Sequence, residues 1–503
     1  MLAAAAAATT TIEAAAPNSG SVEELSLADI AGGRSSSYEL TQTYLARIDR
    51  LDRNGPRLRS VIETNPRALE IAAALDKERR SRGPRGRLHG VPILIKDNVE
   101  TADHMMTTAG SLALEGWYAP TDAPLVERLR AAGAVILGKA NLSEWANFRS
   151  TRASSGWSAR GGQCRNPYAI DRTPSGSSSG SAVAVAANLC ALAVGTETDG
   201  SIVSPASING VVGIKPTLGL VSRQGIIPIS RSQDTAGPIA RSVRDAAVML
   251  SVMAERSGTD YARSVDPQGL RGARLGIARK FYADNAPLNA YLDTCIATLR
   301  NAGAIIVDPA DPPRQAMSGT EGLELEVWLY EFKSDINTYL QRLPASFPVR
   351  SLAALIEFNQ AHKAREMPLF DQERLRQAQA RGALTDDVYK RARAACLSAM
   401  RNNGIDAMLT RHRLDAIVTL TSGPAWLIDP VNGDSDIVNC ASPAAIAGYP
   451  HITVPAGLFR GLPVGLSFYG AAFSEPTLIK LASGFEAVTR ARTPPRFLSS
   501  IEN

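Results

Sequence analysis

Gly90-Val91-Pro92-Ile93-Leu94-Ile95 is a short apolar run opened by a glycine and a proline, and Ala134-Val135-Ile136-Leu137-Gly138 is a second. Each has the length and β-branched content of a strand buried on both faces. Residues 123–132, between them, carry apolar positions at helical spacing. Strand, helix, strand in that order predicts parallel neighbours joined by a crossover helix, and so a largely parallel, buried sheet in an α/β fold. Further apolar runs stand at 191–195, 211–214, 274–278, 304–307, 414–418, 451–455 and 462–468. Helices are expected at 25–30, 38–51, 68–80, 287–302 and 476–490, and the run 182–194 reads as a buried helix. From 255 to 410 the pattern is mostly helical with charged faces. Sheet-forming chain, 26–254 and 411–503, therefore brackets a helical insert at 255–410, and residues 1–25 form a frayed or disordered tail.

The bulk numbers agree with a globular enzyme-sized chain. At 503 residues, 45% hydrophobic and 20% charged, it can bury a large core. The net charge of +5 is a weak field over this length. Arginines at 79–87 and 374–401 fall on expected helices without interleaved aromatics, so they read as solvated faces rather than a nucleic-acid surface. The five cysteines, at 164, 190, 295, 396 and 440, contain no CxxC pair. They read as small buried apolar residues, not as a disulfide framework or a zinc site. No run reaches the roughly 18 apolar residues of a membrane span. The Ala- and Thr-rich start lacks a basic segment and reads as a tail rather than the remnant of an export signal. The expected compartment is the cytoplasm, with the periplasm or secretion as the alternative.

Three segments carry candidate chemistry. Lys96 follows Ile93-Leu94-Ile95, and is either a residue just beyond the strand or a buried amine able to act as a base. Ser175-Gly176-Ser177-Ser178-Ser179-Gly180-Ser181 runs into an apolar helical pattern, the setting in which backbone N–H groups meet an anion; a flexible linker is the other reading. Thr198-Asp199-Gly200-Ser201 follows a strand and is either a surface turn or an oxyanion hole beside a serine. The chain has only five histidines, none close in sequence to either serine. Gly176-Ser177-Ser178-Ser179-Gly180 also matches a G-x-S-x-G elbow, which would make Ser178 the nucleophile with His412 or His451 and Asp415 or Asp429 as partners. The poor strand material before it, Asp171-Arg172-Thr173-Pro174, weighs against that. Gly133 to Ala140 nearly matches a phosphate loop, but Ala140 replaces the metal-binding hydroxyl and the residues between the glycines read as strand.

Taken together, these segments make the chain resemble the amidase signature family of serine hydrolases. The resemblance rests on Gly90-Val91-Pro92 with Lys96-Asp97-Asn98, Gly133 to Gly138 with Lys139 and Asn141, and Asn166-Pro167. It continues through Gly176 to Ser181, Thr198 to Pro205, Gly210 to Pro216, Asp234 to Pro238, Gly448-Tyr449-Pro450 and Gly461 to Gly465. One departure is Ser179-Gly180, where the family usually carries a glycine pair. That departure, the segments 141–148 and 155–163, and the insert with Tyr330-Glu331-Phe332-Lys333 and Phe358 to His362 look most like the bacterial peptide amidases.

The resemblance implies a mixed, largely parallel central sheet covered by helices on both faces. It implies Ser201 as nucleophile, Ser177 as bridging serine after a cis peptide bond, and Lys96 as base. The backbone N–H groups of Thr198, Asp199, Gly200 and Ser201 would form the oxyanion hole. The implied substrate is a peptide amide or other small amide, with no cofactor or metal, no nucleic acid or membrane partner, and a monomeric chain. Two rival activities share the family: the glutamine-hydrolysing component of a tRNA-dependent amidotransferase, and a broad small-molecule amidase. A non-enzymatic binder would have no need of a lysine and two serines in register.

Overall fold

The computed structural model describes residues 23–255, 258–280, 285–311, 320–435 and 439–501. The tail expected at 1–25 lies outside them except for positions 23–25. The described chain opens on two short capped helices, Leu27–Ala31 and Ser37–Arg47, each started by a serine capping box (Ser26 with Asp29, Ser36 with Glu39).

One eleven-stranded sheet organises the molecule. In spatial order its strands are Val61–Thr64, Val135–Ala140, Pro92–Lys96, Leu192–Glu197, Thr235–Ala240, Val212–Lys215, His451–Phe459, Leu462–Tyr469, Ala416–Leu420, Arg274–Ile277 and Ile305–Val307. Pro92–Lys96 runs parallel to both its neighbours, as the strand–helix–strand pattern predicts. Arg274–Ile277 does the same at the far edge. The remaining pairings are antiparallel, so the sheet is mixed. Helices pack along it, among them Ser179–Ala186 on Leu192–Glu197 and Glu475–Thr489 on His451–Phe459.

Two features depart from the sequence pattern. The run 182–194 is not one helix. The helix covers Ser179–Ala186, and a strand begins at Leu192. Asn188 takes a left-handed conformation (φ 56°), and Arg47 donates to the Ala187 and Asn188 carbonyls at 2.9 and 2.7 Å. A left-handed asparagine and a cation on the last carbonyls are both helix-stop devices. The central strand Thr235–Ala240 gives no apolar alternation because Gly237 and Pro238 interrupt it. Gly237 is required there, since a Cβ would collide with Ile214 O.

Within 255–410, the strands Arg274–Ile277 and Ile305–Val307 join the edge of the sheet. The helices from Thr320–Gln341 onward build a second core instead. Leu329, Phe332, Ile336 and Leu340 from Thr320–Gln341 pack with Leu142, Trp145 and Phe148. The Phe148 and Phe332 rings lie 4.7 Å apart. Arg149, fully buried, pins the same loop. It pairs with Glu144, donates to Glu366 O, and lies 4.1 Å over the Phe370 ring. Its guanidinium therefore has carboxylate, carbonyl and π partners, which a buried cation requires.

The serine–glycine segment is locked to this frame through Gly180. Its N–H donates to Asn141 O at 2.9 Å, and a Cβ at Gly180 would run into Ser60 O and the Asn141 backbone. Gly180→Ala is expected to lower the unfolding free energy by about 3 kcal/mol, the upper range for overpacking a rigid backbone contact. Urea denaturation of the purified variant measures it, and a loss within experimental error would show that the contact yields.

Candidate active site

Lys96 ends the strand Pro92–Lys96 and is completely buried. Its Nζ is in hydrogen-bond contact with Ser177 Oγ at 2.8 Å, Ser178 Oγ at 3.0 Å and Thr196 Oγ1 at 2.9 Å, and it donates to Thr196 O at 3.1 Å. All four partners are neutral. Burial pushes the amine down to about 7, against the opposing pull of the Glu197 and Asp234 carboxyls. Of the two readings open for Lys96, the structure shows the buried amine.

Ser177 follows a cis peptide bond from Gly176. Its carbonyl accepts from Ser143 N at 3.1 Å. Ser178 links the two serine loops, because its N–H donates to Ser201 O at 3.1 Å. Ser178 Oγ is itself occupied, donating to Thr196 O at 3.0 Å and accepting from Thr196 N at 3.1 Å. Among the described residues no histidine hydrogen-bonds to Ser178. His451 instead meets Ser467 Oγ at 2.6 Å and is pushed down to about 3 by burial. The elbow reading of Ser178 therefore fails: the hydroxyl is buried, spent on backbone, and has no imidazole partner.

Ser201 faces a cavity of about 260 Å³. Among the described residues no hydrogen bond joins its hydroxyl to that of Ser177, but both lie on loops tied through Ser178. The turn 198–203 is organised by Glu197, whose Oε2 accepts from Ile202 N at 2.7 Å and Val203 N at 3.0 Å. The Gly200 N–H also faces Glu197. Of the four N–H groups expected at the oxyanion hole, those of Thr198, Asp199 and Ser201 thus remain without a protein partner among the described residues. Asp234 braces the turn from behind. It accepts from Thr198 Oγ1 at 2.7 Å and from the backbone N–H groups of Ile229 and Ser230 at 2.8 and 2.9 Å. Burial raises Asp234 and Asp199 to about 6.

The cavity wall combines Phe148, Ile229, Trp328 and Trp426 with Asp199 and Asp434. No lysine or arginine lines it among the described residues. Lys139, the lysine of the near phosphate loop, sits elsewhere on a buried strand, and its Nζ donates to Val99 O at 2.7 Å and Thr107 Oγ1 at 2.9 Å. Among the described residues no group of His, Cys, Asp and Glu side chains could hold a metal ion, and no helix is long and apolar enough to cross a membrane. Thr196, Glu197 and Gln233 carried no sequence signal of their own. Asp234 stood in the quoted segment 234–238 but without a role.

A buried lysine with neutral partners, a hydroxyl at its Nζ and a second serine on a turn with free N–H donors is the equipment of a serine hydrolase without histidine. Comparison with known proteins gives the class. The Amidase family profile matches residues 39–479. A probable amidase of Arabidopsis thaliana is 42% identical over 95% of this chain and 93% of its own length. The peptide amidase of Stenotrophomonas maltophilia superposes with a TM-score of 0.89 at 52% identity, covering 94% of this chain and 99% of that one. A glutamyl-tRNA(Gln) amidotransferase component from Halorhodospira halophila is 34% identical over 93% of this chain and 97% of its own. The chain belongs to the amidase signature family, and it is an amide-hydrolysing enzyme.

The depressed Lys96 has a consequence for stability. An unfolded lysine titrates near 10.4. Between about 7 and that value the unfolded chain holds a proton that the native chain lacks. Raising the pH through this window therefore favours the native state, by about 1.4 kcal/mol per pH unit. The stability difference between wild type and Lys96→Met is expected to move in favour of wild type with that slope from pH 7 to 9. Denaturant titrations at several pH values check it, and a flat difference would mean that Lys96 titrates as an ordinary lysine.

Proposed function

We propose that this enzyme hydrolyses the C-terminal amide of peptides to the free acid and ammonia, with Ser201 as nucleophile, Ser177 as proton relay and Lys96 as base. The observation that carries the reading is the 2.8 Å contact between Lys96 Nζ and Ser177 Oγ, made by an amine that burial brings to about 7. A neutral amine has one lone pair and two hydrogens. With its hydrogens on Thr196 and Ser178, its lone pair accepts the Ser177 proton. Ser177 then takes the proton of Ser201, and Ser201 Oγ attacks the amide carbon.

The resulting oxyanion is held by the N–H groups of Thr198, Asp199 and Ser201. The proton returns along the same path to the departing nitrogen, and ammonia leaves. Water then attacks the acyl-enzyme, its proton passing to Lys96 through Ser177, and Ser201 is regenerated with release of the acid.

The cavity supports a peptide over glutamine. Phe148, Ile229, Trp328 and Trp426 offer apolar walls to side chains beside the scissile amide. Among the described residues the cavity offers the α-carboxylate of glutamine Asp199 and Asp434 and no cation, leaving that charge unpaired. The likeness to the Stenotrophomonas peptide amidase points the same way.

Ammonia release from a panel of blocked peptide amides, amino-acid amides and glutamine tests the substrate. Blocked peptide amides are expected to exceed glutamine in kcat/KM by about tenfold or more, the worth of one unpaired charge contact; equal rates would favour the amidotransferase or broad-amidase readings. Ser201→Ala is expected to have no measurable turnover, and near-normal activity would overturn the assignment.

The pH profile tests the base. Because Lys96 acts deprotonated, kcat/KM is expected to rise with pH on a single proton centred at about 7. Lys96→Ala is expected to lose most activity at neutral pH and to recover part of it as pH climbs. A profile unchanged by that substitution would remove lysine from the mechanism.

A further inference from the structure

The helix Thr320–Gln341 presents Glu324, Trp328, Glu331 and Asp335 at spacings of four, three and four, which places them on one face. All four grip a single loop, residues 230–233. Asp335 accepts from Arg231 N at 3.1 Å and Arg231 Nε at 2.8 Å. Glu331 accepts from Ser230 Oγ at 2.6 Å, Ser232 N at 3.1 Å and Ser232 Oγ at 2.9 Å. Trp328 Nε1 donates to Gln233 Oε1 at 2.9 Å, and Gln233 Nε2 donates to Glu324 Oε1 at 2.8 Å. The second hydrogen of Gln233 Nε2 goes to the Thr198 carbonyl at 3.3 Å.

We propose that Gln233 is a positioning residue for the reaction: by holding the Thr198 carbonyl it aims the Asp199 N–H into the cavity as an oxyanion donor. The inference rests on the Ser201 reading above and adds to it a residue outside the reacting groups. The Thr198–Asp199 peptide is trans, so its C=O and N–H point in opposite directions along one plane. A carbonyl fixed toward Gln233, on the helix side, leaves the Asp199 N–H directed away from it, and Thr198, Asp199 and Ser201 all line the cavity.

The Gln233 amide has one admissible orientation. Flipped, its oxygen would face the Glu324 carboxylate and the Thr198 carbonyl, and its NH₂ would face the Trp328 N–H. The Trp328 and Thr198 contacts would then both pair like with like. Gln233 is nearly fully buried, so water cannot relieve that arrangement. Through Gln233 the helix stripe thus reaches the Thr198 carbonyl, and the Thr198 hydroxyl bond to Asp234 holds the same residue from a second direction.

Gln233→Met keeps the length and burial of the side chain and removes both donors. Its expected effect is a fall in kcat of about 10–100-fold, part of the 10²–10³ that loss of a whole oxyanion donor costs, with KM within about threefold. A peptide aldehyde that forms a hemiacetal with Ser201 needs the oxyanion donors, whereas the matching peptide alcohol does not. Aldehyde affinity is expected to fall with kcat while alcohol affinity stays constant. A kcat within about twofold of wild type, or equal losses for aldehyde and alcohol, would overturn the proposal.

Should Gln233→Met not melt cooperatively, Trp328→Phe keeps an aromatic side chain at the cavity wall and removes the donor that sets the amide, together with the pyrrole half of the indole; the unchanged alcohol affinity asked for above separates the two losses. It is expected to lower kcat by about 3–10-fold, the worth of one hydrogen bond, and an unchanged kcat overturns the proposal. Ser201→Ala, assayed beside them, separates the two claims. Turnover in that variant would overturn the nucleophile assignment itself, while a normal Gln233→Met enzyme beside an inactive Ser201→Ala would overturn the positioning role alone.

Discussion

The site depends on one electrostatic circumstance: an amine is buried completely with no anion in hydrogen-bond contact. A lysine ammonium in that setting loses its hydration without a counter-charge, so its neutral form is favoured and the amine comes down to about 7. Had a carboxylate stood where Thr196 or Ser178 stands, an ion pair would have kept the proton on Lys96. The two nearest influences of opposite sign, Glu197 and Asp234, are each turned to other work. Glu197 accepts from the backbone of 202–203 and Asp234 from Thr198 and the loop 229–230. The same two carboxyls thus shape the turn that carries Ser201 and leave Lys96 among neutral oxygens.

That arrangement needs a rigid frame, and the sheet supplies it. Lys96 and Thr196 lie on adjacent parallel strands, Pro92–Lys96 and Leu192–Glu197, so their separation is set by backbone pairing. The serine loop is pressed onto this edge by Gly180 and by Ser178, whose N–H and hydroxyl bond across to Ser201 and Thr196 respectively. The helices beyond 320 meet the cavity. Their core around Phe332 carries Phe148 and Trp328 to the cavity, and their polar face reaches Thr198 through Gln233. The strands that carry Lys96 and Thr196 thus stand in one core, while Phe148, Ile229 and Trp328 belong to a second.

Much of the frame was legible in the residues. Strands buried on both faces announce themselves as short apolar runs, and Ile93 to Ile95 and Val135 to Leu137 are such runs. What misled was the run 182–194, apolar throughout most of its length, because periodicity cannot divide a buried helix from a buried strand when no polar face exists. The break is set by Asn188 and by Arg47, a residue 140 positions away that caps the carbonyls. Thr235–Ala240 was illegible for the opposite reason. Its glycine and proline serve a central position crowded by Ile214, which only the neighbouring strand explains.

The sequence by itself determined the chemistry available: a lysine after a buried strand, a serine–glycine loop entering a helix, a serine on a Thr-Asp-Gly turn, and few histidines. Residue order also carried the family resemblance, because so many short segments recur in one arrangement. It left Lys96 open between a residue just beyond the strand and a buried amine, and it offered the Ser178 elbow as a rival to Ser201. Only the tertiary structure shows that Lys96 is buried and that the Ser178 hydroxyl is spent on the backbone, for a physical reason. A pKa is set by what surrounds a group in three dimensions, and a hydroxyl's role by whether it faces a cavity or is spent on the backbone. Lys96, Ser177 and Thr196 are separated by up to 100 positions along the chain, and their contacts exist only once the sheet has formed.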